Sequence, residues 1–95
     1  MLDHSSFFKR KIKKTNFRRT QLREVDFTDA DLTQSVFEAC DLLNAKFENS
    51  ILEKADFRSA FNYSIDLSFN KIKKARFSLS GLPGLLEKYD IDITL

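Results

Sequence analysis

Few side chains in this sequence could do chemistry. The candidates are one cysteine, Cys40, one histidine, His4, and an acidic series, Asp26, Asp31, Asp41, Asp56 and Asp66. A reactive thiol needs exposure and a basic neighbour that holds it as thiolate, and Cys40 occupies an inward slot that offers neither. A metal would require a second imidazole or thiol at ligand spacing, which His4 lacks. Each aspartate directly precedes a large apolar residue, and none is accompanied by a base, so the series reads as turn-stabilising polar residues. Nothing matches a nucleophile elbow, a phosphate loop or a triad. The sequence therefore predicts no enzyme: no catalytic residue, no metal and no cofactor.

What positions these residues is a period of five. From Phe7 to Leu82 every fifth residue is large and apolar, with Asn62 the one exception. That spacing fits neither the 3.6 period of a helix nor the 2.0 period of a flat strand. It fits a square coil with one large inward residue per side. Two positions before each large residue stands a mostly small one, such as Ala30, Ser35, Cys40, Ala45, Ser50, Ala55 and Ala60. In an extended segment a residue two positions away faces the same side, so these also enter a crowded interior.

The units Ala30-Asp31-Leu32-Thr33-Gln34 and Ala55-Asp56-Phe57-Arg58-Ser59 resemble the pentapeptide-repeat family, over about residues 5–82. The resemblance implies an all-β fold, a right-handed quadrilateral parallel β-helix of about four coils stacked at the strand spacing of ~4.8 Å. Sorted by twenty, the inward residues form four columns. Phe17, Phe37, Phe57 and Phe77 face Phe7, Phe27, Phe47 and Leu67. Between them stand Leu22, Leu42, Asn62 and Leu82 on one side, and Ile12, Leu32, Leu52 and Ile72 on the other. The expected core is Phe17, Leu22, Phe27, Leu32, Phe37, Leu42, Phe47, Leu52, Phe57, Leu67, Ile72 and Phe77.

Irregularities mark the ends. Asn62 predicts a bulged loop near 61–70, with Phe61 and Tyr63 at outward positions. Arg10 in a small slot predicts a ragged first coil, regular only from about Thr15. With two glycines and one proline, the turns must be ones that ordinary residues adopt. After Ser80 the period stops; Pro83 can open a short helix, and Ile91, Ile93 and Leu95 alternate as a half-buried strand. The expected division is residues 1–80 as repeats and 81–95 as a capping and dimerisation module. The segment Leu85-Leu86-Glu87-Lys88-Tyr89-Asp90-Ile91 is similar to the C-terminal tail of the quinolone-resistance (Qnr-type) branch, and residues 2–95 resemble the C-terminal half of such members. That resemblance implies a homodimer joined through Leu82, Leu85, Leu86, Tyr89, Ile91 and Ile93. An uncovered coil end needs a partner in any case.

The net charge of +2 argues neither for nor against nucleic acid. Its distribution is uneven. Residues 1–23 carry eight basic and one acidic side chain, 24–69 three basic and ten acidic, and 70–95 five basic and three acidic. The block Lys9-Arg10-Lys11-Ile12-Lys13-Lys14 could bind nucleic acid; protection of an open β edge weighs more, so direct nucleic-acid binding is not favoured. Stacking one coil apart should pair Arg18, Glu38 and Arg58, and Lys11 with Asp31. Outward Val36, Leu43 and Ile51 stand on three different sides and form no continuous patch. No apolar run is long enough to span a membrane, no signal peptide is evident, and a lone cysteine is compatible with a reducing cytoplasm. The leading reading is a non-enzymatic, cytoplasmic, bacterial scaffold for protein contacts. As the resemblance implies, the alternative is a DNA-mimicking ligand of DNA gyrase or topoisomerase IV that gives quinolone protection; a second is nucleic-acid binding by the first coil.

Overall fold

Backbone hydrogen bonds between residues about twenty apart set the chain path in the computed structural model, which describes residues 2–94. The Leu32 N–H donates to the Ile51 carbonyl at 2.8 Å, and the Ile51 N–H donates back to Ala30 at 2.9 Å. The same alternation recurs on each side, so Lys11, Asp31, Ile51 and Lys71 lie over one another in parallel bridges. Regular strand is brief: β1 (Asn16–Arg18) pairs in parallel with β2 (Val36–Glu38), Phe17 against Phe37. Each side supplies only two or three ladder residues before the chain must turn, which is why the solenoid contains little formal strand.

The corners explain how so tight a coil closes. In one of them the Ala30 N–H donates to the Phe27 carbonyl at 3.1 Å, while the Asp26 carboxylate accepts the N–H of Thr28 at 2.9 Å. Between these lies Asp29 with φ 58°, the left-handed third residue of a type II turn. From His4 to Lys54 every fifth residue has φ between 50° and 64°, and none is glycine. The turns are thus regular, yet each puts an ordinary side chain in a conformation that costs about 1 kcal/mol or more. Burial offsets that cost.

Inside the coil, Phe37 stacks on Phe17 at 5.1 Å and on Phe57 at 4.7 Å, with rings within 9° of parallel. Phe27 stacks on Phe47 at 5.0 Å. Across the coil the two ladders meet edge to face, Phe27 against Phe37 at 5.8 Å and 85°. Phe17, Leu22, Phe27, Leu32, Phe37, Leu42, Phe47, Leu52 and Phe57 are buried. Leu67, Ile72 and Phe77, in the last coil, are partly buried and pack against them. Polar residues in the small slots find partners: Ser35 and Ser50 donate to the carbonyls of Ile12 and Phe27, and Asn70 to that of Phe47.

Three expectations need correction. The first coil is not ragged: Ser6 bridges Asp26 and Lys11 bridges Asp31, and exposed Arg10 does not disturb the turn. Tyr63 is not outward but 5% exposed, with Ile65 buried beside it and Asn62 exposed. A one-residue shift in an extended segment exchanges its faces, so turning Asn62 out brings Tyr63 in. Finally, residues 90–94 form no strand, because no ladder neighbour lies beside them; Leu95 is outside the described residues.

Truncating a middle rung leaves a void between two stacked rings that the rigid ladders cannot refill. Phe37→Ala and Phe57→Ala should each destabilise by about 3–5 kcal/mol, read from urea denaturation. A loss under about 1 kcal/mol in either variant is incompatible with this stacking.

Candidate protein interface

The C-terminal segment closes the coil through Tyr63. A 3-10 turn (Leu79–Gly81) leads into α1 (Leu82–Leu86), with Pro83 in its first turn, and a second 3-10 turn (Glu87–Tyr89) ends at left-handed Asp90. The Ile65 N–H donates to the Gly84 carbonyl at 3.0 Å. Both glycines of the chain lie against Tyr63. A Cβ on Gly81 would fall 1.6 Å from the Tyr63 hydroxyl, and one on Gly84 would fall 2.0 Å from the Tyr63 carbonyl oxygen. These glycines permit close approach. Burial pushes the Tyr63 phenol above its ordinary value, so the ring acts as a neutral wedge between coil and helix.

Lys88 fastens the outer edge of the same joint. Its Nζ donates to Asp66 at 3.0 Å and to the Ser68 hydroxyl at 2.8 Å, and lies 5.2 Å from the centre of the Tyr89 ring. The hydrogen bond raises the Lys88 ammonium above its ordinary value and holds Asp66 below the usual carboxylate range.

Beside the cap runs an open cleft of about 690 Å³, walled by Leu43, Phe61, Leu86, Ile91 and Ile93, with Asn62, Glu87 and Asp90 among its polar lining. Leu43, Phe61, Ile91 and Ile93 are each 44–56% exposed. Of the side chains expected at an interface, Leu82, Tyr89, Ile91 and Ile93 are exposed and Leu86 is half-buried. Leu85 is not available: it is 6% exposed and belongs to the core, since the helix must bury one apolar face on the coil. Leu43 does not stand alone either, because the next coil brings Phe61 to it. Their near-twenty spacing, on the same side of successive coils, was the available signal.

The potential chemistry is spent on structure. Asp26, Asp31, Asp41, Asp56 and Asp66 each accept the N–H two residues on, at 2.9–3.1 Å. Hydrogen bonds from Thr28 hold Asp26 below the usual range, and those from Arg58 do so for Asp56. For Asp31 partial burial pushes upward, but Thr33 and Lys13 outweigh it and the net shift is down. The Cys40 thiol is fully buried, lies 2.9 Å from the Phe17 carbonyl, and is pushed up by burial. His4 Nδ1 sits 3.1 Å from Glu24 at the surface. Among the described residues, no three of His, Cys, Asp or Glu converge to hold a metal. The expected charge ladders form only in part: Arg18 reaches Glu38 at 3.1 Å, but Arg58 turns back to Asp56, and Lys13 rather than Lys11 approaches Asp31.

The family profile described as pentapeptide repeats (8 copies) matches residues 6–38. Over those residues the chain carries pentapeptide repeats, and it resembles that family. Its fold is shared with HetL of the cyanobacterium Nostoc sp. strain PCC 7120, a pentapeptide-repeat protein involved in heterocyst differentiation regulation. The match has 18% identity and a TM-score of 0.72, over 84% of this chain and 38% of that one. It is also shared with QnrB1, a plasmid-mediated fluoroquinolone resistance protein, at 15% identity and TM-score 0.56, over 97% of this chain and 47% of that one. The chain thus spans less than half the length of either. These likenesses support the right-handed quadrilateral β-helix as the fold. No curated protein matches the sequence.

Two predictions follow from this geometry. Gly84→Ala should detach the cap from Tyr63, seen as faster hydrogen exchange in residues 81–90 and a lower Tm; unchanged protection there contradicts the wedge. The depressed carboxyls of Asp26, Asp31 and Asp56 add stability that is complete above their unfolded values, near pH 4, and lost as pH falls through their lower folded values. Tm should therefore fall below about pH 4. A variant with Asn at all three positions keeps the turn acceptor without titrating and should decline less steeply. Equal steepness contradicts the assignment.

Proposed function

We propose that this chain is a non-enzymatic β-helical scaffold of the pentapeptide-repeat family that binds protein and pairs with a second copy through residues 81–95. The repeats, residues 1–80, serve as the rigid body and the C-terminal module as cap and joint. One observation carries the reading: the apolar cleft beside the cap, where Leu43 and Phe61 of the coil meet Ile91 and Ile93 of the tail. Four exposed apolar side chains converging on one groove are what an interface core requires. The interior supports the non-enzymatic part, since stacked rings fill it and leave the aspartates bound in turns.

Light scattering coupled to size exclusion should give twice the 11.1 kDa chain mass at micromolar concentration. Ile91→Asp with Ile93→Asp should give the single mass while Tm stays within a few degrees, because both side chains are exposed. A wild-type protein that stays monomeric removes the pairing.

A second reading, as a ligand of DNA gyrase or topoisomerase IV, draws on the shared fold with QnrB1 and on the charge of two adjoining sides. Residues 1–10, 21–30, 41–50 and 61–70 carry seven acidic and four basic side chains, a negative surface of the kind a duplex presents. In a supercoiling assay with ciprofloxacin, this chain should restore activity to the poisoned enzyme. No effect across a concentration series eliminates the reading.

A further inference from the structure

Folding sorts charge by side of the coil as well as by position in the chain. The two remaining sides, residues 11–20, 31–40, 51–60 and 71–80, carry eleven basic and four acidic side chains. Stacking brings the cations of the fourth coil beneath those of the first: Lys71 shares a column with Lys11, and Lys14, Lys54 and Lys74 occupy one corner in successive left-handed turns broken only by Gln34. Among the described residues, Lys11, Lys14, Lys54, Lys71, Lys74 and Arg76 make no ion pair. Three of the four carboxylates on these sides are already engaged, Asp31 by Thr33 and Lys13, Asp56 by Arg58, and Glu38 by Arg18, while Glu53 makes no ion pair among the described residues. A shallow cleft of about 420 Å³ opens between Lys54, Lys74 and Arg76.

We propose that this basic corner binds the sugar-phosphate backbone of a nucleic-acid duplex without reading its sequence. The charge calls for a polyanion, and the rest of the surface selects among polyanions. The exposed aromatics Phe8, Phe61, Phe69 and Tyr89 lie on the other sides or on the cap, so these two sides give a single strand no stacking platform. Only Leu79, at the cap end, is a large exposed apolar residue here, so an acidic protein finds almost no anchor. Duplex phosphates need neither; cations suffice. The first and fourth coils stand three strand spacings apart, about 14 Å, close to the ~12 Å width of the major groove. Their lysines can therefore reach phosphates on both strands. The cations stand on the first, third and fourth coils, with none among residues 31–40, so they reach beyond the basic block at residues 9–14.

The test is fluorescence anisotropy with a labelled DNA duplex of random sequence, titrated with the full chain at about 50 and 200 mM salt. Binding should be micromolar at the lower salt and weaken by about tenfold or more at the higher. Lys14→Glu, Lys54→Glu and Lys74→Glu combined should lower affinity about tenfold or more. Glutamate is tolerated at such corners, as Glu24 at φ 57° shows, and a melting curve checks that the variant folds. Lys9→Glu, Arg10→Glu and Lys46→Glu combined make the same charge change on the other sides and should cost much less. No duplex binding at the lower salt overturns the proposal. So does equal loss in both variants, tighter binding of a single strand, or polyglutamate competing as well as the duplex.

Discussion

Each residue of the coil is held over the one twenty positions before it by hydrogen bonds that run alternately to the next coil and back. The pairs joining Leu32 to Ile51 and Ile51 to Ala30 are typical. Everything else depends on that register. It lays phenylalanine on phenylalanine at about 5 Å, close to the strand spacing. It aligns the corners, so that strain of the same kind recurs at every fifth residue. It also aligns the surface, where two residues twenty apart become neighbours whatever their charge.

The narrow bore constrains composition as strongly as burial does. One large and one small side chain per side fill it. Even the polar members of the small slots must therefore bond to a carbonyl inside, as Ser35, Cys40, Ser50 and Asn70 do with residues twenty-three earlier. The aspartate slot lies just outside this wall and anchors the turn. Residue types that would suggest catalysis in a cleft-bearing fold are here consumed by closing corners.

Where the register lapses, the fold supplies its joint. Asn62 faces out, Tyr63 enters, and α1 can then approach only because Gly81 and Gly84 have no side chain. The same lapse leaves Phe61 beside Leu43 and opens the apolar cleft. Cap, cleft and loop are one structural event. Lys88 holds its outer edge through Asp66.

The five-residue spacing of Phe17, Leu22, Phe27 and their successors, and the small slots before them, made the square coil legible from the sequence, because a period is a local property repeated. The aspartate turns were legible for the same reason, since each involves only a residue and the N–H two positions on. Other features depended on which way a single residue faces, or on what lies a whole turn away. The inward turn of Tyr63, the burial of Leu85, the pairing of Arg58 with Asp56, and the gathering of Lys14, Lys54 and Lys74 at one corner were decided only by the tertiary structure. A one-residue shift reverses a face, and a twenty-residue turn makes neighbours of residues that no local pattern connects.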